Sequence, residues 1–219
     1  MLSDEGSATI RAWGLLNRHA IGRAAGIPYP GTFVLDREGR VVTRSFEEPY
    51  EERATAASVL SALEPSAEPG GDVVRGRHVT VGVEQSDQVA APGQRITLAV
   101  HISPAPGVHV YAPGQGGYIP VSLELSPSDA FRPEDPVYPD AHPYLFQPLH
   151  ETVRVYDRPF RLTRDVTLAV TRDNQRRGLD HEPLTIAGAV RYQACDDRVC
   201  FAPDDVPVRW TVTLTPLEH

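Results

Sequence analysis

The spacing of apolar residues changes part-way along the chain. Within residues 1–63, apolar side chains recur at helical spacing in residues 7–17 and 51–63, which predicts two short helices, the first capped by Ser7. Between them, two apolar runs flank residues 36–39, a pattern typical of a β-hairpin. The second helix is expected to bury one apolar face, formed by Ala56, Val59, Leu60 and Leu63.

Beyond residue 72, apolar and polar side chains alternate, as they do in half-buried β-strands. Turns rich in Pro and Gly separate the alternating runs, and no helical pattern is found among them. These features predict a mainly β fold, an immunoglobulin-like β-sandwich. Its predicted strands are His78–Val83, Arg95–Val100, Val121–Leu125, Arg161–Val170, Leu184–Tyr192 and Val208–Leu214.

Residues 64–72 separate the two patterns. Their Pro and Gly residues fit neither a helix nor a sheet, and they have no large apolar side chain to bury. We therefore expect an amino-terminal unit over residues 1–63, a linker over 64–72 and a sandwich over 73–216. Residues 217–219 resemble the start of a purification tag and are left out of the fold. Each unit is expected to bury one tryptophan in its core, Trp13 or Trp210.

Composition and charge exclude several classes of protein. The net charge is −8 and acidic residues are interleaved throughout, which argues against a nucleic-acid partner, because phosphate binding needs clustered cations. The chain contains no lysine, which excludes Schiff-base enzymes. No stretch approaches the roughly 20 apolar residues of a membrane span. The amino terminus has neither a basic nor an apolar segment of the kind found in signal peptides, so a cytoplasmic location stays open.

The only two cysteines, Cys195 and Cys200, have four residues between them. A short loop can bring two cysteines within the roughly 4.4–6.8 Å between α-carbons that a disulfide needs, and this pair differs from the inter-sheet bridge of immunoglobulins, which joins distant strands. A bridge closing so short a loop stabilises by only about 2 kcal/mol. Reversible thiol–disulfide exchange is therefore the favoured chemistry. The alternative is a non-catalytic interaction module with a structural disulfide.

No metal or cofactor is expected. A zinc site needs three or four converging ligands, and the histidines have no recognised zinc spacing relative to the cysteines. Those of the predicted sandwich lie at positions 78, 101, 109, 142, 150 and 181.

The segments Tyr192-Gln193-Ala194-Cys195 and Cys200-Phe201-Ala202-Pro203 resemble the amino-terminal, immunoglobulin-like domain of the thiol:disulfide interchange protein DsbD. Weaker similarity in residues 107–114 and 153–157 extends the resemblance over most of residues 73–214. The resemblance implies an electron relay: the dithiol is reduced by a thioredoxin-like partner and then reduces disulfides of periplasmic client oxidoreductases. A periplasmic location is implied as well.

Carried over by position, Cys200 matches the cysteine that forms mixed disulfides with partners, and Cys195 matches the one that resolves them. The loop between the cysteines is one residue shorter than in the best-known member of the family. The aromatic cap that shields the pair there falls near Leu149 or His150 in this chain.

Several side chains are predicted to support the pair. The resemblance places His109 and Tyr111 beside the cysteine loop, where a tyrosine could pack on the sulfurs and a histidine could move a proton. Arg198 would favour a thiolate, whereas Asp196 and Asp197 would oppose it. The further candidates are Glu151, Asp157 and Tyr192. The alternative for each is an ordinary turn, strand or solvated position in a sandwich.

Residues 26–36 and 39–42 resemble the second half of a thioredoxin-fold domain of the peroxiredoxin and alkyl hydroperoxide reductase (AhpC/TSA) branch. The resemblance makes Tyr29–Pro30 a candidate cis peptide bond. Residues 1–63 contain no cysteine, so this partial α/β unit cannot itself be a peroxidase or a thioredoxin. Peroxide reduction would belong to a larger antioxidant protein containing the missing half.

A partial thioredoxin-like unit would leave the strand around Phe33 at an open sheet edge. Unpaired amides and carbonyls at such an edge attract a partner strand. We expect this edge to pair with a second copy of the chain, giving a homo-oligomer, or with the sandwich. The alternative is a poorly ordered appendage.

Overall fold

The computed structural model describes residues 4–46, 52–63, 71–146 and 150–217. The chain divides into two compact units after Ala54. This division lies before the second predicted helix, whereas the sequence placed the boundary after it.

The first unit is built around a β-hairpin, as predicted. Strands β1 and β2 pair antiparallel, with Phe33 opposite Arg44. The Asp36 carboxylate closes the turn by accepting hydrogen bonds from the amides of Glu38 (3.0 Å) and Arg40 (2.8 Å). The regular elements of the unit are two 3-10 turns (Glu5–Ser7 and Gly22–Ala24), α1 (Ala8–Ala12), β1 (Gly31–Leu35), β2 (Val41–Phe46) and β3 (Arg53–Ala54).

Helix α1 is shorter than predicted and is capped by a different residue. Ser7 has a left-handed backbone (φ 56°), and its hydroxyl donates to the carbonyl of Gly26 at 2.7 Å. The Asp4 carboxylate instead accepts the amides of Thr9 and Ile10, each at 3.0 Å. The prediction of Ser7 as the cap was therefore wrong, because the longer Asp4 side chain reaches the free amides of the first turn.

Two further expectations for this unit are corrected. Trp13 is 62% exposed and packs edge-on against Phe33, with ring centroids 5.8 Å apart, so it is a surface residue. The described residues contain no cis peptide bond, so Tyr29–Pro30 is trans. The relationship of this unit to thioredoxin folds stays a prediction.

The second unit is mainly β, and its sheets are consistent with an immunoglobulin-like sandwich. In the described part of the chain its strands form three sheets, with orders β10-β13-β7-β5-β4, β11-β12-β8-β15 and β6-β16-β14-β9. Every pairing is antiparallel except β16 with β6. The strands are β4 (Val73–Arg75), β5 (Val79–Gln85), β6 (Val89–Ala90), β7 (Gln94–Pro104), β8 (His109–Tyr111), β9 (Ser122–Leu125), β10 (Phe131–Pro133), β11 (His142–Phe146), β12 (Glu151–Tyr156), β13 (Phe160–Leu168), β14 (Pro183–Tyr192), β15 (Ala194–Cys195) and β16 (Asp204–Leu214).

The hydrophobic core of this unit lies between the sheets. Strand β14 alternates buried and exposed residues along much of its length, with Ile186 and Val190 fully buried. Trp210 on β16 is 3% exposed, and its indole donates to the carbonyl of Glu84 at 2.8 Å, so it is a core residue as predicted. The predicted strands are confirmed as β5, β7, β9, β13, β14 and β16.

Helix α2 (Ala56–Leu63) belongs to the sandwich. The buried Ser58 hydroxyl lies 2.8 Å from the hydroxyl of Thr97, and Arg161 donates to the Ser61 hydroxyl at 2.6 Å. Leu60, on the predicted apolar face, is 57% exposed. The described contacts that dock this helix are therefore made by its serines, which its apolar spacing did not indicate.

A third helix, α3 (Arg172–Leu179), interrupts the strands, contrary to the prediction of none. Thr171 caps it by accepting the amide of Asn174, and the buried Asn174 amide donates to the carbonyls of Ala130 (2.7 Å) and Ala169 (2.8 Å). The helix is strongly polar and is held by these hydrogen bonds, so hydrophobic periodicity could not reveal it. Among the described residues, no helix combines the length and apolar character needed to cross a membrane.

Candidate functional site

Cys195 and Cys200 form a disulfide, with 2.07 Å between sulfurs and 4.0 Å between α-carbons. Cys195 ends β15, and Cys200 pairs with it through an antiparallel bridge. Two backbone hydrogen bonds close the hairpin, from Asp196 to the carbonyl of Val199 (3.0 Å) and from Phe201 to that of Ala194 (2.8 Å). The disulfide thus spans the base of a short turn.

Asp196 holds this turn in shape. Its carboxylate accepts the amides of Arg198 (2.8 Å) and Val199 (2.7 Å), and these hydrogen bonds lower the pKa of Asp196. The exposed Arg198 guanidinium lies 3.7 Å from the carboxylate of Asp197. The three charges beside the cysteines are therefore partly engaged with one another and with the backbone.

The disulfide lies on one face of the sheet β11-β12-β8-β15. Register places Cys195 opposite His109, Tyr111 opposite Val155, and Val153 opposite Tyr144. Directly opposed residues project from the same face, and so do alternate residues along a strand. The apolar cluster on this face, here called the disulfide face, comprises Tyr111, Val153, Val155 and Cys195, with Tyr118, Tyr144 and Cys200 packed against them.

The two sulfur-bearing residues differ in exposure. Cys195 is 0% exposed, whereas Cys200 is partly exposed. The neighbouring Val199, at the tip of the turn, is 50% exposed. A protein approaching from solvent therefore reaches the Cys200 side of the bond first.

Tyr111 contacts the disulfide directly. Its hydroxyl lies 3.4 Å from the sulfur of Cys200, and its side chain is fully buried. Burial, with smaller contributions from Tyr118, Tyr144 and Glu151, raises the pKa of Tyr111 to about 12. The phenol therefore keeps its proton at neutral pH and can donate a hydrogen bond to sulfur.

Two tyrosines that sequence reasoning missed complete the disulfide face. Tyr118 stacks on Tyr111, with centroids 4.3 Å apart, and donates to the Glu151 carboxylate at 2.8 Å. The ring of Tyr144 lies 4.5 Å from that of His109. The only sequence signals were a tyrosine directly after the Gly-rich residues 114–117 and one on an unpredicted strand.

His109 contacts the rings of Tyr111 and Tyr144 and is 3% exposed. Its Nε2 atom is buried, with no hydrogen-bond partner among the described residues. Burial lowers the pKa of His109; the charges of Asp157 and Asp196 oppose this shift, and His142 adds to it.

The other predicted supporting residues lie at greater remove from the sulfurs. Glu151 reaches the disulfide face through Tyr118. Asp157 pairs with His142, with 3.2 Å between Oδ2 and Nε2. His150 is an exposed turn residue with φ of 53°, and Leu149 lies outside the described residues.

Tyr192 serves the sandwich. It lies on β14, in a different sheet, and its hydroxyl bonds the carbonyl of Arg77 (2.8 Å) and the carboxylate of Asp204 (3.0 Å). Burial raises its pKa, and the hydrogen bond to Asp204 adds to the shift. These hydrogen bonds tie the start of β16 to the loop before β5.

Within the described ranges, no group of three or more His, Cys, Asp or Glu side chains gathers as a metal site would require.

Comparison with known proteins decides the family. The family model "Thiol:disulfide interchange protein DsbD, N-terminal" matches residues 80–209, more than half of the chain. The chain belongs to the DsbD N-terminal domain family. Domains of this family are thiol–disulfide exchange modules, and the matched range contains the whole disulfide face of this DsbD N-terminal domain.

Among solved structures, this DsbD N-terminal domain is similar to the N-terminal periplasmic domain of ScsB from Proteus mirabilis, with 13% sequence identity and a TM-score of 0.45. The alignment covers 66% of this chain and 51% of that one, so the chain spans about half the length of the ScsB domain. No curated protein matches the chain.

Proposed function

We propose that the domain relays electrons between protein partners by thiol–disulfide exchange at Cys195 and Cys200. The observation that carries this proposal is the unequal burial of the two cysteines, 0% exposed for Cys195 and partly exposed for Cys200. A relay needs one sulfur that partners can attack and a second, protected sulfur that resolves the mixed disulfide.

In the first half of the cycle the domain is reduced. A thiolate of a thioredoxin-like donor attacks the sulfur of Cys200, the Cys195–Cys200 bond breaks, and Cys195 leaves as a thiolate. The donor's second cysteine, as a thiolate, then attacks the donor's first sulfur in the mixed disulfide and releases Cys200 as a thiolate. Two electrons pass from the donor dithiol to the domain.

In the second half the domain reduces a client protein. The Cys200 thiolate attacks the client disulfide, and Cys195 then attacks Cys200, restoring the internal disulfide and releasing the client as a dithiol. The Tyr111 hydroxyl, 3.4 Å from Cys200, stabilises the attacking thiolate by hydrogen bonding.

Trapping with single-cysteine variants tests this division of labour. After incubation with an oxidised thioredoxin-fold protein, Cys195→Ser is expected to accumulate a mixed disulfide through Cys200, detected by intact mass without reductant. Cys200→Ser is the matched control and should trap little, because Cys195 is buried. Equal trapping by both variants, or by neither, would contradict the proposal.

The second candidate is a structural disulfide in an interaction module. It is favoured by the hydrogen bonds of Asp196, which hold the turn independently of the sulfurs. The position of the redox equilibrium separates the two candidates, because structural disulfides of secreted proteins typically have potentials below about −300 mV.

A further inference from the structure

In the exchange cycle Cys195 has to lose and regain a proton. Its side chain is 0% exposed within an apolar cluster, and burial in such surroundings disfavours a thiolate. Cys195 must nevertheless be a thiolate when it attacks Cys200 and when it leaves. A nearby group has to take and return its proton.

Most titratable groups around the disulfide face are unsuited to this task. Tyr111 keeps its proton, since its pKa is about 12. The Asp196 carboxylate accepts two backbone amides, the Glu151 carboxylate accepts the hydroxyl of Tyr118, and Asp157 pairs with His142. These carboxylates are already committed to hydrogen-bonded or ionic partners.

His109 meets the requirement by position. It stands directly opposite Cys195 in the β8–β15 pair, and such residues have Cβ atoms about 4.5–5.5 Å apart on the same face of the sheet. Cys200 follows in the same row, bridged to Cys195. The order across the sheet is therefore imidazole, resolving sulfur, partner-facing sulfur.

His109 also has an unused buried atom. Its Nε2 is buried and has no hydrogen-bond partner among the described residues, although a buried polar atom left unsatisfied ordinarily costs about 1–3 kcal/mol. Tyr111 and Tyr144, which flank the ring, shield it from water. A group kept dry and unbonded, on the residue directly opposite Cys195 in the strand pair, is available for proton transfer.

We propose that His109 is the proton acceptor and donor of Cys195 in the exchange cycle. This assignment rests on the proposed function and names the residue that makes the buried sulfur reactive. Its chemistry is that of a general base, which returns the proton when the reaction runs in reverse.

The proton balance follows the two halves of the cycle. When the client mixed disulfide is resolved, neutral His109 takes the proton of the Cys195 thiol, the thiolate attacks Cys200, and the client sulfur leaves with the electron pair. The imidazolium then loses its proton to the leaving thiolate or to water. When a donor opens the disulfide, Cys195 leaves with the electron pair and is protonated through His109.

The surroundings keep His109 neutral and ready to accept. Its burial on β8 lowers its pKa, and the positive form of His142 on β11 acts in the same direction. Asp157 after β12 and Asp196 in the cysteine turn act in the opposite direction and stabilise the imidazolium once it forms. Tyr111 and Tyr144 face the ring as neutral phenols.

A two-phase reaction of the reduced full chain with dithiobis(nitrobenzoate) isolates the step. In the first phase Cys200 attacks the reagent and releases one coloured thiol, at a rate proportional to reagent concentration. In the second, Cys195 attacks the mixed disulfide and releases another, at a rate independent of it. Stopped-flow absorbance resolves both phases across a range of pH.

His109→Gln is expected to slow the second phase by about 100-fold at neutral pH, the lower range of general-base effects, and to leave the first phase unchanged. The wild-type second phase should reach a plateau near neutral pH. In the variant it should keep rising into alkaline pH as the thiol itself ionises, above the usual thiol pKa of about 8.5 because Cys195 is buried. A merely structural role would not move the pH profile in this way.

Controls separate the failures. His101→Gln removes another buried imidazole, one bonded to Glu84, and should change neither phase. His109→Phe keeps a ring beside the tyrosines and serves as the test if His109→Gln folds poorly. It is expected to show the same slow second phase and the same pH profile. An unchanged second phase in both His109 variants overturns the role of His109 alone. A wild-type chain without a first phase overturns the proposed function, and the role of His109 with it.

Discussion

At the scale of single residues, the two sulfurs of the disulfide have different neighbours. Cys195 lies in an apolar cluster opposite His109, whereas Cys200 is partly exposed and touches the hydroxyl of Tyr111. The sequence motif identified both cysteines, and the resemblance placed His109 and Tyr111 beside them. Tyr118 and Tyr144 escaped notice because only the pairing of strands brings them to the same face.

Tyr111→Phe tests the contact with Cys200. Removing the hydroxyl takes away a donor to the thiolate, and a hydrogen bond to a charged group is worth about 1.5–3 kcal/mol. We expect the first phase of the dithiobis(nitrobenzoate) reaction to slow by at least about tenfold, since about 1.4 kcal/mol corresponds to that factor.

Tyr192→Phe is the matched control for this substitution. Its hydroxyl bonds the carbonyl of Arg77, in the loop before β5, and the carboxylate of Asp204 on β16, so its loss should lower the free energy of unfolding by about 1 kcal/mol and leave exchange unchanged. Similar exchange rates for Tyr111→Phe and Tyr192→Phe would show that the contact with Cys200 has no chemical role.

At the scale of elements, the strands with clear alternation were predictable and the site's own sheet was not. Strands β7, β14 and β16 are long, so their patterns are readable in the sequence. The strands β8 and β15 contain three and two residues, too few for a period to show. Helix α2 lies within the predicted residues 51–63, but its docking contacts and the whole of α3 were missed, because hydrogen bonds of Ser, Thr and Asn side chains hold these helices.

Ser58→Ala tests how α2 docks. The substitution removes the buried hydrogen bond to Thr97, and we expect a loss of about 1 kcal/mol in the free energy of unfolding, measured by urea titration. Leu60→Ala, on the exposed side of the helix, should change it by no more than about 0.5 kcal/mol. A larger loss for Leu60→Ala than for Ser58→Ala would show that the helix docks through the apolar face predicted from the sequence.

At the scale of the whole molecule, the acidic composition argued against a nucleic-acid partner, and the cysteine motif indicated the family. The division of the chain into two units could be seen only from three-dimensional contacts. The predicted linker follows α2, and the observed division precedes it, after Ala54. The apolar spacing of residues 56–63 is compatible with either unit. The hydrogen bonds of Ser58 and Ser61 to Thr97 and Arg161 assign the helix to the sandwich.

Stability is expected to depend on pH through His109. Its folded pKa is lowered by burial, so below the unfolded value of about 6.5 the unfolded chain binds more protons at this site. The contribution of neutral His109 to the free energy of unfolding is therefore complete above about pH 6.5 and is lost as pH falls below that value. Urea titrations between pH 7.5 and 5 should show that the free energy of unfolding falls less with decreasing pH for His109→Gln than for the wild type. An equal fall in both proteins would contradict a lowered pKa of His109 in the folded chain.

Whether the Cys195–Cys200 bond is a working redox couple is decided by its equilibrium with glutathione. The oxidised fraction is measured by mass after alkylation, over a series of ratios of reduced to oxidised glutathione. We expect exchange that reaches equilibrium and a reduction potential above about −300 mV. A bond that stays closed throughout, or a potential below that value, would identify a structural disulfide and rule out an electron relay at these cysteines.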